Sequence, residues 1–394
     1  MVSTFKELIR KTKAGIREIS VEEARARKAK GAVLVDVREA DEWSQGHVPG
    51  AFFIPRGFLE QRIEEKVPEK GQDVVVYCAG GTRSAFAAET LGHLGYTNVS
   101  SVVGGFGKWK EAGFPIEVPQ SLSAEQKRRY SRHLLVPEVG EAGQTKLLAS
   151  KALLVGAGGL GSPAGLYLAA AGVGTIGLVD SDVVDLTNLQ RQVLHTTASV
   201  GKPKTESAEA TIRALNPDVK VVRHDIRLEA SNVMDVIAPY DVILDGCDNF
   251  ATKYLINDAA VLSGKINLYG SIFRFDGQAS TFVPKDGPCY RCLFPEPTPA
   301  ELAPSCDEAG VLGVLPGVVG LIQATEAIKA ILGKGDLLKG RLLSYDALSM
   351  TFKQYKVRRD PKCAVCGEHP TITAPSDLEW SCHFEPRPEA VTTA

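Results

Sequence analysis

At 394 residues the chain is too long for one ordinary core and long enough for two or three domains. A composition of 44% hydrophobic and 23% charged residues excludes a disordered or fibrous chain. A formal net charge of -2 argues against a partner held through backbone phosphates, so no nucleic acid is expected. Residues 1–15 mix lysines and an arginine with isolated apolar residues and lack the apolar core of a secretory signal, which predicts a cytoplasmic protein. Eight cysteines without such a signal are read as metal ligands or nucleophiles rather than as a disulfide framework.

In chain order, residues 31–37 and 73–77 read as buried strands, the second ending at Cys78. Residues 82–95 carry Ala85, Ala88, Leu91 and Leu94 at helical spacing and close on a glycine. This predicts a small α/β domain over 15–118 and a linker at 119–123, where Pro115 and Pro119 bracket a segment with neither periodicity. A second domain, 124–394, opens on Ser123-Ala-Glu-Gln126, which fits a capping box. Strand signals at 151–155, 175–180, 219–223, 241–245 and 266–269 alternate with helical ones, as expected of a mostly parallel, doubly wound, Rossmann-like sheet. The uncharged runs 152–179 and 309–325 are long enough to suggest a membrane span. Clustered glycines in the first, and Pro316 with four glycines in the second, argue against one, and no membrane is expected.

Cys78-Ala-Gly-Gly-Thr-Arg83 joins a buried strand to a helix, so backbone N–H groups converge on the sulfur near the helix N-terminus, which favours a thiolate. Gly80 and Gly81 let the loop curl, and Arg83 adds positive charge beside the anion. The alternative is a buried structural cysteine. With Asp36-Val-Arg38, Glu42-Trp43, Gly46-His47-Val-Pro-Gly50-Ala51 and Gly104-Gly105, this loop resembles a rhodanese domain. The resemblance implies that Cys78 carries sulfur as a persulfide, loaded by thiosulfate or a cysteine desulfurase, with Arg83 assisting.

Gly156-Ala-Gly158-Gly159-Leu-Gly161 follows a strand and opens a helix, a pattern that lets backbone approach phosphates. Asp180 ends the next strand, where a carboxylate can hold ribose hydroxyls, and to this point NAD and ATP fit equally. No P-loop sequence is present. The run from Asp182 through Asn188, Arg191 and Gln192, followed by Gly201-Lys-Pro-Lys204 and Asp245-Gly-Cys-Asp248-Asn249, resembles the E1-type adenylating domains of the MoeB/ThiF family. That family includes the molybdopterin-synthase and thiamine-biosynthesis adenylyltransferases. The resemblance implies ATP and Mg2+ as cofactors, with Gly159 and Asn249 in the nucleotide site. It further implies Asp180 at the ribose, Asn188, Arg191 and Lys204 at the phosphates, and Asp248 at the metal and the reacting centre. Arg132 matches an arginine that reaches the ATP of a partner subunit, which implies a homodimer.

Cys289-Tyr-Arg-Cys292 and Cys363-Ala-Val-Cys366 are two C-x-x-C pairs able to complete one tetrahedral Zn2+ site, structural because four thiolates leave no open position. A redox role is the rival; neither pair follows a thioredoxin-like strand. Cys306 matches a cysteine assigned in some family members as forming a thioester with the carrier; the alternative is an unreactive thiol. Cys247 reads as packing.

The joint expectation is ATP-dependent adenylylation of the C-terminal glycine of a ubiquitin-like sulfur-carrier protein ending in Gly-Gly, then sulfur transfer from Cys78 to give a thiocarboxylate. The rivals are an E1 that conjugates its carrier to proteins, a degenerate sulfur-sensing scaffold, and an NAD-dependent oxidoreductase. Better-known fusions of these domains place the rhodanese second, whereas here it comes first.

Overall fold

Val74–Tyr77 is apolar at every position, and a strand of that kind is stable only where both of its faces are covered. A computed structural model describes residues 4–118, 122–297 and 310–378. The chain divides into two compact units, Met1–Ser121 and Leu122–Ala394.

In the first unit, β1 (Arg17–Ile19), β2 (Val33–Asp36), β3 (Phe52–Phe53), β4 (Val74–Tyr77) and β5 (Val99–Val102) form one parallel sheet in the order β1-β5-β4-β2-β3. Val74 and Val76 pack on Ile63 and Leu91, while Val75 and Tyr77 pack on Phe106 and Trp109 on the other face. The strand delivers Cys78 at its carboxyl end, and the helix Thr82–His93 begins four residues later.

The second unit begins with Ser123, whose hydroxyl caps Gln126 while the Gln126 side chain returns to the Ser123 backbone. Its sheet runs β13-β12-β11-β10-β9-β6-β7-β8. β6 (Lys151–Val155), β7 (Thr175–Val179), β8 (Lys220–His224), β9 (Val242–Asp245) and β10 (Ile266–Phe273) are parallel. β11 (Asp276–Phe282), β12 (Arg341–Asp346) and β13 (Thr351–Lys356) continue the sheet antiparallel. The chain leaves β6 toward β7 and β8, then returns to β9 on the other side, so a crevice opens at the carboxyl ends of β6 and β9. Ala152 and Leu154 pack into one core cluster and Leu153 and Val155 into another, covering both faces of β6.

The antiparallel wing is the main departure from the sequence reading. β10 runs on past Tyr269 to Phe273, and a two-residue turn with Arg274 at φ 53° reverses it into β11. The helix Leu315–Leu332 is the one described helix long and apolar enough to cross a membrane, and half of it is buried here. Its Gln323 amide donates to the Asp245 and Leu268 carbonyls at 2.7 and 2.8 Å, and its Glu326 accepts from Thr281 and from the Leu338 N–H at 2.6 Å each.

Candidate functional site

The crevice beyond β6 and β9 is a cleft of about 700 Å³. Its floor requires glycine: a Cβ on Gly161 would stand 1.9 Å from the Gly156 carbonyl oxygen, and Gly156 holds φ +97°. Around the cleft lie Gly159, Asp180, Arg191, Lys204, Asp248 and Asn249 of the sequence-derived set. Asp180 accepts from the Ala157 and Asp182 N–H groups, each at 2.9 Å, which fixes its carboxylate against the glycine loop. Burial raises its pKa, partly offset by the Lys204 charge. The Lys204 ammonium, itself buried, reaches the exposed Asp182 at 2.8 Å. Arg191 donates to the Thr187 carbonyl at 3.2 Å. The exposed Asn249 caps the helix Phe250–Ser263 by accepting from the Thr252 N–H at 2.9 Å.

Two members of the set do not line the cleft. Asn188 turns its amide oxygen to the Asp185 N–H at 3.1 Å, closing a reciprocal cap on a short helical turn. Arg132 is exposed on the four-residue helix Ser131–Leu134. Cys306 and Cys382 lie outside the described residues.

Sequence reasoning gave no role to several groups that shape the cleft. Gln192 is 4% exposed, lines the cleft, and leaves its Oε1 without a hydrogen-bond partner. His195 is buried behind the glycine loop, with Nε2 at 2.9 Å from the Ala157 carbonyl and Nδ1 at 3.0 Å from the Ser207 hydroxyl. A carbonyl can only accept, so Nε2 carries the proton and Nδ1 accepts from Ser207. Beneath the cleft, Lys253 donates to Asp245 at 3.0 Å and to the Gly270 carbonyl at 2.8 Å. Burial works against its charge, but Asp245, together with the neighbouring Cys247 and Tyr269, more than offsets that and raises the Lys253 pKa. The Cys247 S–H donates to the same Asp245 at 2.8 Å, and burial with that carboxylate keeps it a thiol. Only the three-dimensional return of Gly270 and Ser207 to these side chains reveals them.

In the first unit Cys78 is 1% exposed. The Gly81 N–H donates to its sulfur at 3.1 Å, with Gly81 at φ +95° starting the helix Thr82–His93. Gly105 is packed against the loop so closely that a Cβ would stand 2.1 Å from the Cys78 carbonyl. Arg83 does not rest on the sulfur: its guanidinium forms a bidentate pair with Glu42 at 2.6 and 2.8 Å.

Cys289, Cys292, Cys363 and Cys366 bring their sulfurs within 4.8 Å of one another. Their closer separations are 3.9, 3.6 and 3.4 Å. Tetrahedral zinc–thiolate bonds set an edge of about 3.8 Å, so the four sulfurs fit a tetrahedral metal.

The ThiF family matches residues 130–365, more than half of the chain. The chain belongs to the ThiF family. A rhodanese-like domain matches residues 20–112, so this family member carries that domain at its N-terminal side. The SAMP-activating enzyme E1 of Haloferax volcanii is 55% identical over 248 residues, 63% of this chain and 92% of that one. A probable adenylyltransferase/sulfurtransferase, MoeZ, of Mycobacterium tuberculosis is 52% identical over 272 residues, 68% of each chain. The sulfur carrier protein adenylyltransferase of Thermus thermophilus is 49% identical over 263 residues, 66% of this chain and 97% of that one. Crystalline MccB of E. coli with ATP shares the fold at a TM-score of 0.55 and 23% identity, covering 66% of this chain and 79% of MccB.

Proposed function

We propose that this ThiF-family protein uses ATP to adenylylate the C-terminal glycine of a ubiquitin-like sulfur-carrier protein, then delivers sulfur to that glycine from a persulfide on Cys78. The observation that carries the reading is the presence, in one chain, of the ThiF unit with its cleft and a rhodanese-like domain with an intact loop cysteine. The names of the Thermus and Mycobacterium relatives support both halves.

The carrier's carboxylate is a poor electrophile. It attacks the α-phosphorus of ATP and pyrophosphate leaves, a step governed by placement of charge. Asp180, already oriented by two backbone N–H groups, has lone pairs left for ribose hydroxyls. Lys204 and Arg191 would face the phosphates, with Asn188 joining them only if its local cap opens, and Asp248 would hold magnesium. Magnesium, bound with the nucleotide, supplies neutralisation of phosphate charge. The terminal sulfur of the Cys78 persulfide then attacks the acyl carbon, directly or after a thioester at Cys306, and the bond to AMP or to Cys306 breaks. A small thiol attacks the Cys78 sulfur of the resulting acyl disulfide, the S–S bond breaks to release the thiocarboxylate, and a second thiol reduces the disulfide left at Cys78. We further propose zinc at the four cysteines, a homodimer in which Arg132 serves the partner's nucleotide, and a cytoplasmic location.

The test is carrier-dependent ATP–pyrophosphate exchange with a panel of Gly-Gly-ended carriers, with thiocarboxylate followed by mass spectrometry. Exchange should require the carrier and disappear in Asp248→Ala, while Cys78→Ala should lose thiocarboxylate and keep exchange. Absence of exchange with every carrier would end this reading. The likeness to the Haloferax enzyme favours a second one, conjugation of the carrier to proteins. It predicts carrier–protein adducts that depend on Cys306.

A further inference from the structure

If Cys78 is the sulfur acceptor, as proposed above, the charges on the rim of its loop select the donor. Arg83 belongs to that rim, yet its two terminal nitrogens are engaged by Glu42 at 2.6 and 2.8 Å, and Glu39 stands 3.8 Å from one of them. Glu42 is held in place from behind, since its Oε2 also accepts from the Glu39 N–H at 3.1 Å. One guanidinium thus faces two carboxylates. Arg38 is buried and consumed by Asp36 and by the Gly46 carbonyl at 2.7 Å. Both arginines are thus matched by a carboxylate, while Lys108 is exposed with its stem along Gly104.

Thiosulfate brings two negative charges. If it binds through Arg83 it meets Glu39 and Glu42 as well, or must take Arg83 from a bidentate partner, and like charges brought together oppose binding. A thiol persulfide brings at most one negative charge at the transferred sulfur, as R–S–S⁻, and none as R–S–SH, the form that transfers it. The Cys78 thiolate attacks that outer sulfur, the S–S bond breaks, and the thiolate leaving group R–S⁻ takes up a proton; no oxidant or reductant is consumed.

We propose that Glu42, backed by Glu39, is a specificity-determining residue that turns the Cys78 loop away from thiosulfate and toward thiol persulfides as sulfur donors. Arg83 acts on the donor only as half of an ion pair.

The experiment measures sulfur loading of Cys78 in the full chain by intact mass, against concentration, with thiosulfate, with cysteine persulfide, and with a cysteine desulfurase supplied with cysteine. Half-saturation by thiosulfate is expected about tenfold or more above that by cysteine persulfide. Glu42→Gln should lower the thiosulfate value about tenfold and leave loading from cysteine persulfide within about twofold, a split that loss of structure would not produce. Glu39→Gln keeps the bidentate pair and should move thiosulfate the same way by less. The desulfurase arm distinguishes a protein-borne persulfide from a free one, and loading from either upholds the class. A wild-type protein loaded by thiosulfate at or below the persulfide concentration overturns the proposal, as does a Glu42→Gln protein in which both donors shift together. Absence of loading from every donor, or loading that survives Cys78→Ala, sinks instead the reading of Cys78 and this inference with it.

Discussion

Both units place their chemistry after a buried parallel strand, in a glycine turn that opens a helix, yet the two turns do opposite things. After β6 the turn leaves a cleft of about 700 Å³, and the side chains around it reach into open space. After β4 the turn closes down on Cys78, whose residue is 1% exposed and whose sulfur takes a hydrogen bond from Gly81. One turn makes room for a ligand beside the backbone; the other wraps backbone around a nucleophile. The shared strand–turn–helix plan therefore fixes where chemistry sits, and the neighbouring side chains decide what it is.

The largest effect that separates the units should come from the four cysteines, all in the second one. Cys363→Ser, or treatment with a chelator, should cost that unit several kcal/mol or more, since binding of a structural metal is folding free energy. Calorimetry should show its transition lowered while the transition of the first unit stays, and sulfur loading of Cys78 should survive. Loss of both transitions together would mean that the units are not independent. Next comes a pair of single methyl groups. Gly161→Ala forces a Cβ to 1.9 Å from the Gly156 carbonyl, and Gly105→Ala forces one to 2.1 Å from the Cys78 carbonyl. Each shift of about 1 Å should cost about 100-fold in rate. Gly161→Ala should remove pyrophosphate exchange and spare Cys78 loading, and Gly105→Ala should do the reverse.

What was legible in the sequence follows from the range of the interactions. The Ser123 cap and the strand Lys151–Val155 are set by residues within one turn or one strand, and local pattern finds them. β13 is exposed at all six positions and β11 opens on Asp276-Gly-Gln278, so neither offers an apolar run or a clean alternation to read. The Arg83–Glu42 pair spans 41 residues and the His195–Ala157 bond 38, distances that no motif covers. Asn188 shows the converse limit of range: a motif assigns it to a ligand and says nothing of the bond its side chain makes to a neighbour three residues away.

A smaller effect tests whether the orphaned amide oxygen of Gln192 belongs to the nucleotide. An unpaired buried acceptor costs about 1–3 kcal/mol, relieved when a ligand donor reaches it. Gln192→Leu should therefore raise the KM for ATP about tenfold, with kcat held within about threefold. An unchanged KM would leave the amide to the protein alone.

The smallest expected effect is the pH dependence of stability, and it too divides the units. Burial holds the pKa values of His195 and His224 in the second unit and His47 in the first below the ordinary 6.5. A folded-state pKa below the unfolded value means that the unfolded chain binds more protons as pH falls through about 6.5, so stability declines with falling pH over that window. His195 meets this with both ring nitrogens already committed, and protonation of Nδ1 would force the Ser207 hydroxyl to stop donating to it and accept instead. His195→Gln should flatten the decline between pH 7 and 5 in the second unit's transition, and leave the first unit's slope, which His47 sets, unchanged. Equal flattening in both would transfer the effect from His195 to coupling between the units.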